Sequence, residues 1–353
     1  MSHYAEHVPP ATTETGRLLE QVLMEVKKVI VGQDRMVERM LVALLSRGHV
    51  LLEGVPGVAK TLAVETLGNV VGGTATRLQF TPDLVPSDIL GTRVYRPSQE
   101  RFDVELGPVF ANLVLADEIN RAPAKVQSAL LEVMAEHQVT IGGQTFPLPE
   151  PFLVLATQNP IESEGVYALP EAQRDRFLLK IEVPHPSMAE ELEIVRRMSV
   201  GKPSAAQILD PERLMAAQAE ADRVFVHHAI AEYAVRLVMV TRDPAAWGAP
   251  ELVPHIANGA SPRGSIGLVQ AARALALLRG RTYVLPGDIA DLAVDVLAHR
   301  LVLTYDALAD AVPPRAIVER VLAVVGQPVV APAQSSGAPA YTSTAPAQST
   351  PAA

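Results

Sequence analysis

The stretch "HVLLEGVPGVAKTLAVETLGNVV", residues 49–71, constrains this chain more than any other. A short apolar run, a turn bearing glycine and proline, and a segment of helical period follow one another without interruption. That is the strand, loop, helix order of a phosphate-binding loop. Successive backbone N–H groups and a helix N-terminus then point at one place and favour an anion there. The pattern G-x-x-x-x-G-K-[ST] is met from Gly54 to Thr61 except at Ala59, which stands where the pattern has glycine. The extra methyl is tolerable on the expectation that Ala59 keeps a negative φ. Gly54 and Gly57 permit unusual backbone angles, Lys60 reaches β- and γ-phosphates, and Thr61 offers a hydroxyl to magnesium. Taken alone, the same residues also describe a plain strand-to-helix turn with a solvated lysine.

With 353 residues the chain has room for two modest domains. An apolar share of 48% beside 20% charged residues is ordinary for a globular protein. No apolar run reaches the roughly 18 to 20 residues of a membrane span. The opening "MSHYAEHVPPATTETG" lacks a basic-then-apolar leader pattern, so a cytoplasmic protein is expected. Cysteine is absent, which excludes disulfides and thiolate metal ligation. The nine histidines are scattered, and the adjacent His227 and His228 lie in a helical stretch where neighbours diverge. A net charge of -9 and 4% aromatic residues argue against a nucleic-acid surface, which needs clustered Lys and Arg and stacking rings.

Residues 14–47 read as two helices broken at "VIVGQDRM", where Gly32 interrupts the apolar period. Short apolar runs then alternate with helical patterns: "HVLLEG", "ATRLQF", "NLVLADE", "PFLVLATQ" and "RFLLKIEV". Runs of this length separated by helices indicate a parallel sheet covered on both faces. An α/β domain is therefore expected over residues 15–184, after a flexible 1–14. Beyond "VPHPS" only helical spacing is found, giving a smaller all-α domain over 185–326. The Pro, Ala, Ser and Thr of residues 327–353 carry no charge and no period, so a disordered tail is expected there.

Two further strand ends carry chemistry. "NLVLADEIN" closes an apolar run with Asp117 and Glu118. A nucleotide site needs one carboxylate for the metal and its water shell and another to take a proton from attacking water. Neighbours on an extended strand face opposite ways, so both serve one site only where the strand is ending. Helix N-terminal acids are the plainer alternative, since a helical segment follows. "PFLVLATQNP" ends in Thr157, Gln158 and Asn159, and an amide at that tip, between the lysine loop and the acids, can orient water or meet a γ-phosphate.

The ordered set resembles the AAA+ ATPases, and within them the MoxR family. The matching runs are "VGQDRM", "HVLLEGVPGVAKT", "GPVFANLVLADEINRAPAKVQSALLEVMAEHQVTIGG", "PFLVLATQNPIESEGVYALPEAQRDRFLL" and "GASPRG", over roughly residues 25–310. The resemblance implies an AAA+ P-loop NTPase core followed by an all-α lid, binding ATP and Mg2+. It also places Ala before the loop lysine as a usual family feature. By the same resemblance Val31 and Gly32 line the adenine pocket. Gly54, Val55, Pro56, Gly57, Val58, Ala59, Lys60 and Thr61, with Leu62 behind them, form the Walker A loop. Asp117 is the Walker B metal residue, beside Thr61, and Glu118 the catalytic base. Asn159 corresponds to sensor 1, Arg176 of "RDRF" to an arginine finger offered to the next subunit, and Arg263 of "SPRG" to a sensor 2 reaching the γ-phosphate from the lid. Arg174 stands where the family commonly has Leu, which leaves open which of Arg174 and Arg176 acts in trans. His185 replaces a commoner tyrosine.

A finger supplied from outside demands a head-to-tail contact that closes into a ring or continues as a helix. The resemblance makes a hexameric homo-oligomer the expectation, together with a partner carrying a von Willebrand A domain and a chaperone-like role in remodelling or maturing client proteins, including metal-cofactor insertion. "HQVTIGGQTFPLP" reads as a hairpin around Gly142 and Gly143, and "FTPDLVPSDILGTRVYRPSQERFDVELGPVF" resembles the family's insertion in its second helix. Two other readings use the same residues: a nucleic-acid motor, which the charge balance disfavours, and a nucleotide-gated scaffold with little turnover, which the presence of Glu118 disfavours.

Overall fold

The computed structural model describes residues 13–55, 57–160, 167–201 and 203–329. Expectations for residues 1–12, Pro56 and 330–353 therefore lie outside the described residues. The chain opens with helices α1 (Glu14–Val29) and α2 (Asp34–Leu45). It continues through β1 (Val50–Glu53), α3 (Lys60–Val71), β2 (Ala75–Gln79), α4 (Pro86–Leu90), β3 (Gly91–Arg96), β4 (Arg101–Leu106) and β5 (Leu113–Asp117). Next come α5 (Ala124–Glu136), β6 (Gln138–Ile141), β7 (Gln144–Pro147), β8 (Leu153–Gln158), α6 (Glu171–Arg174) and β9 (Leu179–Glu182).

The five apolar runs of the sequence are the five strands of one parallel sheet, ordered β2-β5-β8-β1-β9. Alternation along the central strands divides two cores. Leu52, Leu113, Leu115, Leu153 and Leu155 face α1, α2 and α3, whereas Leu51, Val114, Ala116, Val154 and Ala156 face α5. Because both faces are covered, the strands read as continuous apolar runs rather than as alternating ones. β8 lies between β5 and β1, so the tip carrying Asn159 sits between the acids and the lysine loop.

Both insertions are antiparallel hairpins, β3–β4 and β6–β7. The second turns through Gly142 (φ +58°) and Gly143 (φ +84°), the two positive angles of a type I′ turn. A methyl on Gly142 would meet the Arg93 side chain, so the two hairpins pack closely there.

After β9 the chain is helical: α7 (Met188–Val200), α8 (Pro211–Arg223), α9 (His228–Arg242), then the short strand β10 (Ile256–Asn258) and α10 (Pro262–Leu278). α11 (Pro286–Leu297), β11 (Val302–Leu303), α12 (Tyr305–Ala309) and α13 (Pro314–Val324) complete it. Helix starts follow local chemistry: Ser187 and Glu190 form a capping box for α7, and Asp210 and Ser261 cap α8 and α10. α10 is the central lid helix, and its buried Leu268, Ala271, Leu275 and Leu278 share one core with α1, α2 and α3. The lid is thus docked on one face of the α/β domain. Charge reinforces the joint, since the fully buried Arg39 of α2 pairs with Asp295 (2.9 Å) and Asp291 (2.7 Å) of α11.

Candidate nucleotide site

Strand β2 and the C-terminal ends of β5 and β8 converge with the start of α3 on a cleft of about 390 Å³. Gly57, Ala59, Lys60, Thr61, Leu62, Asp117, Glu118 and Asn159 line it, joined by Arg77 and Thr157. Of the expected loop, Gly54 and Val55 instead line a neighbouring pocket, and Val58 is buried in the core beneath. A methyl on Gly54 would stand 2.7 Å from the Val183 carbonyl, so this position is closed to larger residues.

Ala59 departs from expectation. Its φ is +61°, the left-handed region, not the negative angle that made alanine comfortable there. The conformation costs an L-residue roughly 1–2 kcal/mol, and the loop that aims α3 holds it. Glu118 is likewise left-handed at φ +58°. Leaving the strand this way breaks the alternation of β5, which is how two consecutive acids line one cleft. The N–H of Glu118 donates to Thr157 Oγ1 (2.9 Å), and Thr157 Oγ1 donates to Asp117 Oδ1 (2.5 Å). One β8 hydroxyl thereby fixes both acids. Lys60 Nζ donates to the Gly54 carbonyl at 2.5 Å.

Sequence reasoning missed Arg77, Gln79 and Arg121. Arg77 on β2 donates to Asp117 Oδ2 through Nη2 (2.7 Å) and Nε (3.2 Å), and Gln79 Nε2 donates to Glu118 Oε2 (2.8 Å). Arg121 Nε lies 2.9 Å from the same oxygen. The run "ATRLQF" carries no signal for this by itself: its alternating polar residues meet Asp117 and Glu118 only once β2 is paired with β5.

The structure holds two more depressions. One, lined by Gln33, Arg35, Gly54, Val55, His185 and Glu190 among others, adjoins the loop on the β1–β9 side. Val31 and Gly32 are not in its wall, but Gly32 abuts Glu190, which is. Arg315 of the lid also lines it and pairs with Glu182 at 2.8 Å.

The other, of about 350 Å³, holds Arg176, Arg263, Arg300, Asp175 and His49. Arg174 is not in its lining, which distinguishes the two arginines that the sequence left as rivals. Arg176 Nη1 donates to the Leu131 carbonyl (2.7 Å). Arg263, the residue that the resemblance assigns to sensor 2, sits here at the start of α10, 3.2 Å from Asp175 Oδ2. The nearly buried Arg300, another residue missed in the sequence, meets Asp175 Oδ1 at 3.0 Å and donates to the Phe177 carbonyl (2.7 Å). Burial draws its pKa down to about 10 against the upward pull of Asp175, so it is charged at neutral pH.

Comparison with known proteins now decides the family. Residues 49–179 match the model "ATPase family associated with various cellular activities (AAA)", and residues 253–321 match the AAA lid domain. Chaperone MoxR1 of Mycobacterium tuberculosis is 62% identical over 330 residues, covering 92% of this chain and 88% of the relative. This chain belongs to the MoxR family of AAA+ ATPases. Protein MoxR of Methylorubrum extorquens is 35% identical over 79% of the chain and 86% of its own length. The crystal structure of a candidate ATPase from Cytophaga hutchinsonii superposes with a TM-score of 0.84 at 46% identity, covering 88% of this chain and 95% of that one. The MoxR family assignment accords with an AAA+ core and lid. Among the described residues, no helix is long and apolar enough to cross a membrane.

Proposed function

We propose that this MoxR-family ATPase hydrolyses Mg-ATP at the junction between two copies of the chain and uses the cycle to remodel partner proteins. The observation that supports it is the separation of two half-sites. Lys60, Thr61, Asp117, Glu118 and Asn159 share one cleft, whereas Arg176 and Arg263 share another. Hydrolysis of a triphosphate is mainly positioning and charge neutralisation, and the two arginines that the family resemblance assigns to the γ-phosphate, Arg176 and Arg263, stand outside the first cleft.

Thr61 and Asp117 are hard oxygen donors on one cleft, the donor set magnesium takes, and they fit it. Bound there, magnesium supplies neutralisation of the β- and γ-phosphate charge. Lys60 and the N–H groups at the head of α3 bind and orient the triphosphate. Glu118 takes the proton from attacking water, and Asn159 orients that water. Arg176 stabilises the transition state in the neighbour's cleft. Arg263 shares its depression, which favours presentation of both arginines together, with Arg176 rather than Arg174 as the finger.

Head-to-tail presentation closes most simply into a ring, and a hexamer is the size the family suggests. The name of the Mycobacterium tuberculosis relative supports a chaperone role for this chain. A partner with a von Willebrand A domain, clients awaiting maturation or a metal cofactor, and a cytoplasmic location complete the reading. Glu118→Gln is expected to keep nucleotide binding, lower hydrolysis by about 10² to 10⁴ and accumulate an ATP-bound assembly. Size-exclusion chromatography and affinity capture with this variant test both assembly and partner. A variant that hydrolyses as fast as the parent removes Glu118 from its role.

A further inference from the structure

We infer that Arg77 acts as an internal counter-cation for Asp117, holding the oxygen that magnesium would approach and yielding it when the metal arrives. The inference rests on the Mg-ATP reading of this cleft and extends it to a residue no family role was assigned to. Asp117 has two oxygens and both are committed. Oδ1 accepts from buried Thr157, on the protein side, at 2.5 Å. Oδ2 accepts two N–H groups of Arg77, at 2.7 and 3.2 Å. The two anchors differ in permanence. Thr157 is 1% exposed, whereas the Arg77 side chain is half exposed on an edge strand, with solvent to receive it when its bonds break. Arg77 itself lines the cleft with Thr61 and Lys60, so the guanidinium stands on the side from which a cation enters.

Oδ2 already accepts two N–H groups, so a metal taking that oxygen displaces at least one of them, and a divalent ion held by nucleotide phosphates outcompetes a half-solvated guanidinium. The same Arg77 Nη2 also donates to Gln79 Oε1 (3.0 Å), and the Gln79 amide holds Glu118 (2.8 Å). Departure of Arg77 is therefore felt at the second acid as well. Arg77 is a positioning residue: it sets how readily the metal enters.

The test is a Mg2+ titration of the full-length protein at fixed fluorescent ADP analogue, reading binding rather than turnover. Arg77→Met is expected to reach half-saturation at about three- to tenfold lower Mg2+ than the parent, with nucleotide affinity in EDTA changed less. If Arg77→Met does not fold, Arg77→Lys carries the comparison, because its single ammonium loses the paired contact; a shift of about threefold in the same direction is expected. Unchanged or higher Mg2+ demand in the folded variant, Met or Lys, overturns the inference while the parent still responds to Mg2+. A parent whose nucleotide binding ignores Mg2+ overturns the Mg-ATP reading itself, a separate result.

Discussion

The cleft at the head of α3 and the arginine depression below α10 are both polar, but they are assembled in opposite ways. In the first, Gly57 and Ala59 to Leu62 come from one short stretch of chain and the remaining lining residues from three neighbouring strands, β2, β5 and β8. In the second, Asp175 gathers Arg263 and Arg300 from distant points of the chain, and only the packing of the lid on the α/β domain brings them together. The first gathers two acids and a lysine. The second has positive groups, of which Arg300 is buried and fixed while Arg263 stays more than half exposed. On the proposed reading, each depression holds what the other lacks.

Substitutions break this comparison in order of size. Lys60→Ala, which removes the one lysine lining the first cleft among the described residues, is expected to abolish ATP binding, checked by equilibrium binding of a fluorescent ATP analogue. Retained affinity would mean the cleft is not a phosphate cradle. Arg176→Ala is expected to leave that binding unchanged while lowering turnover by about 10³ or more, since its cost falls on the neighbour. A parallel loss of binding would place Arg176 in its own chain's site.

The second depression should also be the acid-sensitive one. Burial, opposed by the Met134 carbonyl, pushes His49 down from its ordinary 6.5 to about 4. A neutral buried histidine contributes stability that is present above pH 6.5 and lost as pH falls toward 4, about 3 kcal/mol in all. Urea midpoints between pH 7 and 4 should therefore fall, and His49→Gln should flatten the decline. An unchanged profile in the variant would acquit His49. At the smallest scale, Ala59→Gly relieves a left-handed alanine and should raise stability by about 0.5–1 kcal/mol, read from thermal melts.

Legibility in the sequence follows the same division. The sheet was readable because buried parallel strands are continuous apolar runs, and all five such runs are its strands. The phosphate loop was readable because its residues are neighbours in the chain, although the angle at Ala59 was not, since the loop's closure and not local preference sets it. Arg77 was hidden because one arginine in an alternating strand announces nothing until β2 is placed beside β5. Arg300 was hidden for a stronger reason: it follows α11 in a helical region without a motif, and only docking of the lid brings it to Asp175. Arg263 was found by resemblance, but the depression it occupies is a property of tertiary packing.

The division of one reaction between two copies is tested most directly by mixing inactive chains. Arg176→Ala retains an intact cleft, and Glu118→Gln retains an intact arginine, so a junction that takes the cleft from the first and the arginine from the second is complete. Equimolar mixing is expected to restore turnover to about a quarter of the parent rate if assembly is random and one such junction suffices per pair. Co-assembly of the two variants with no recovered hydrolysis at any ratio would contradict the account.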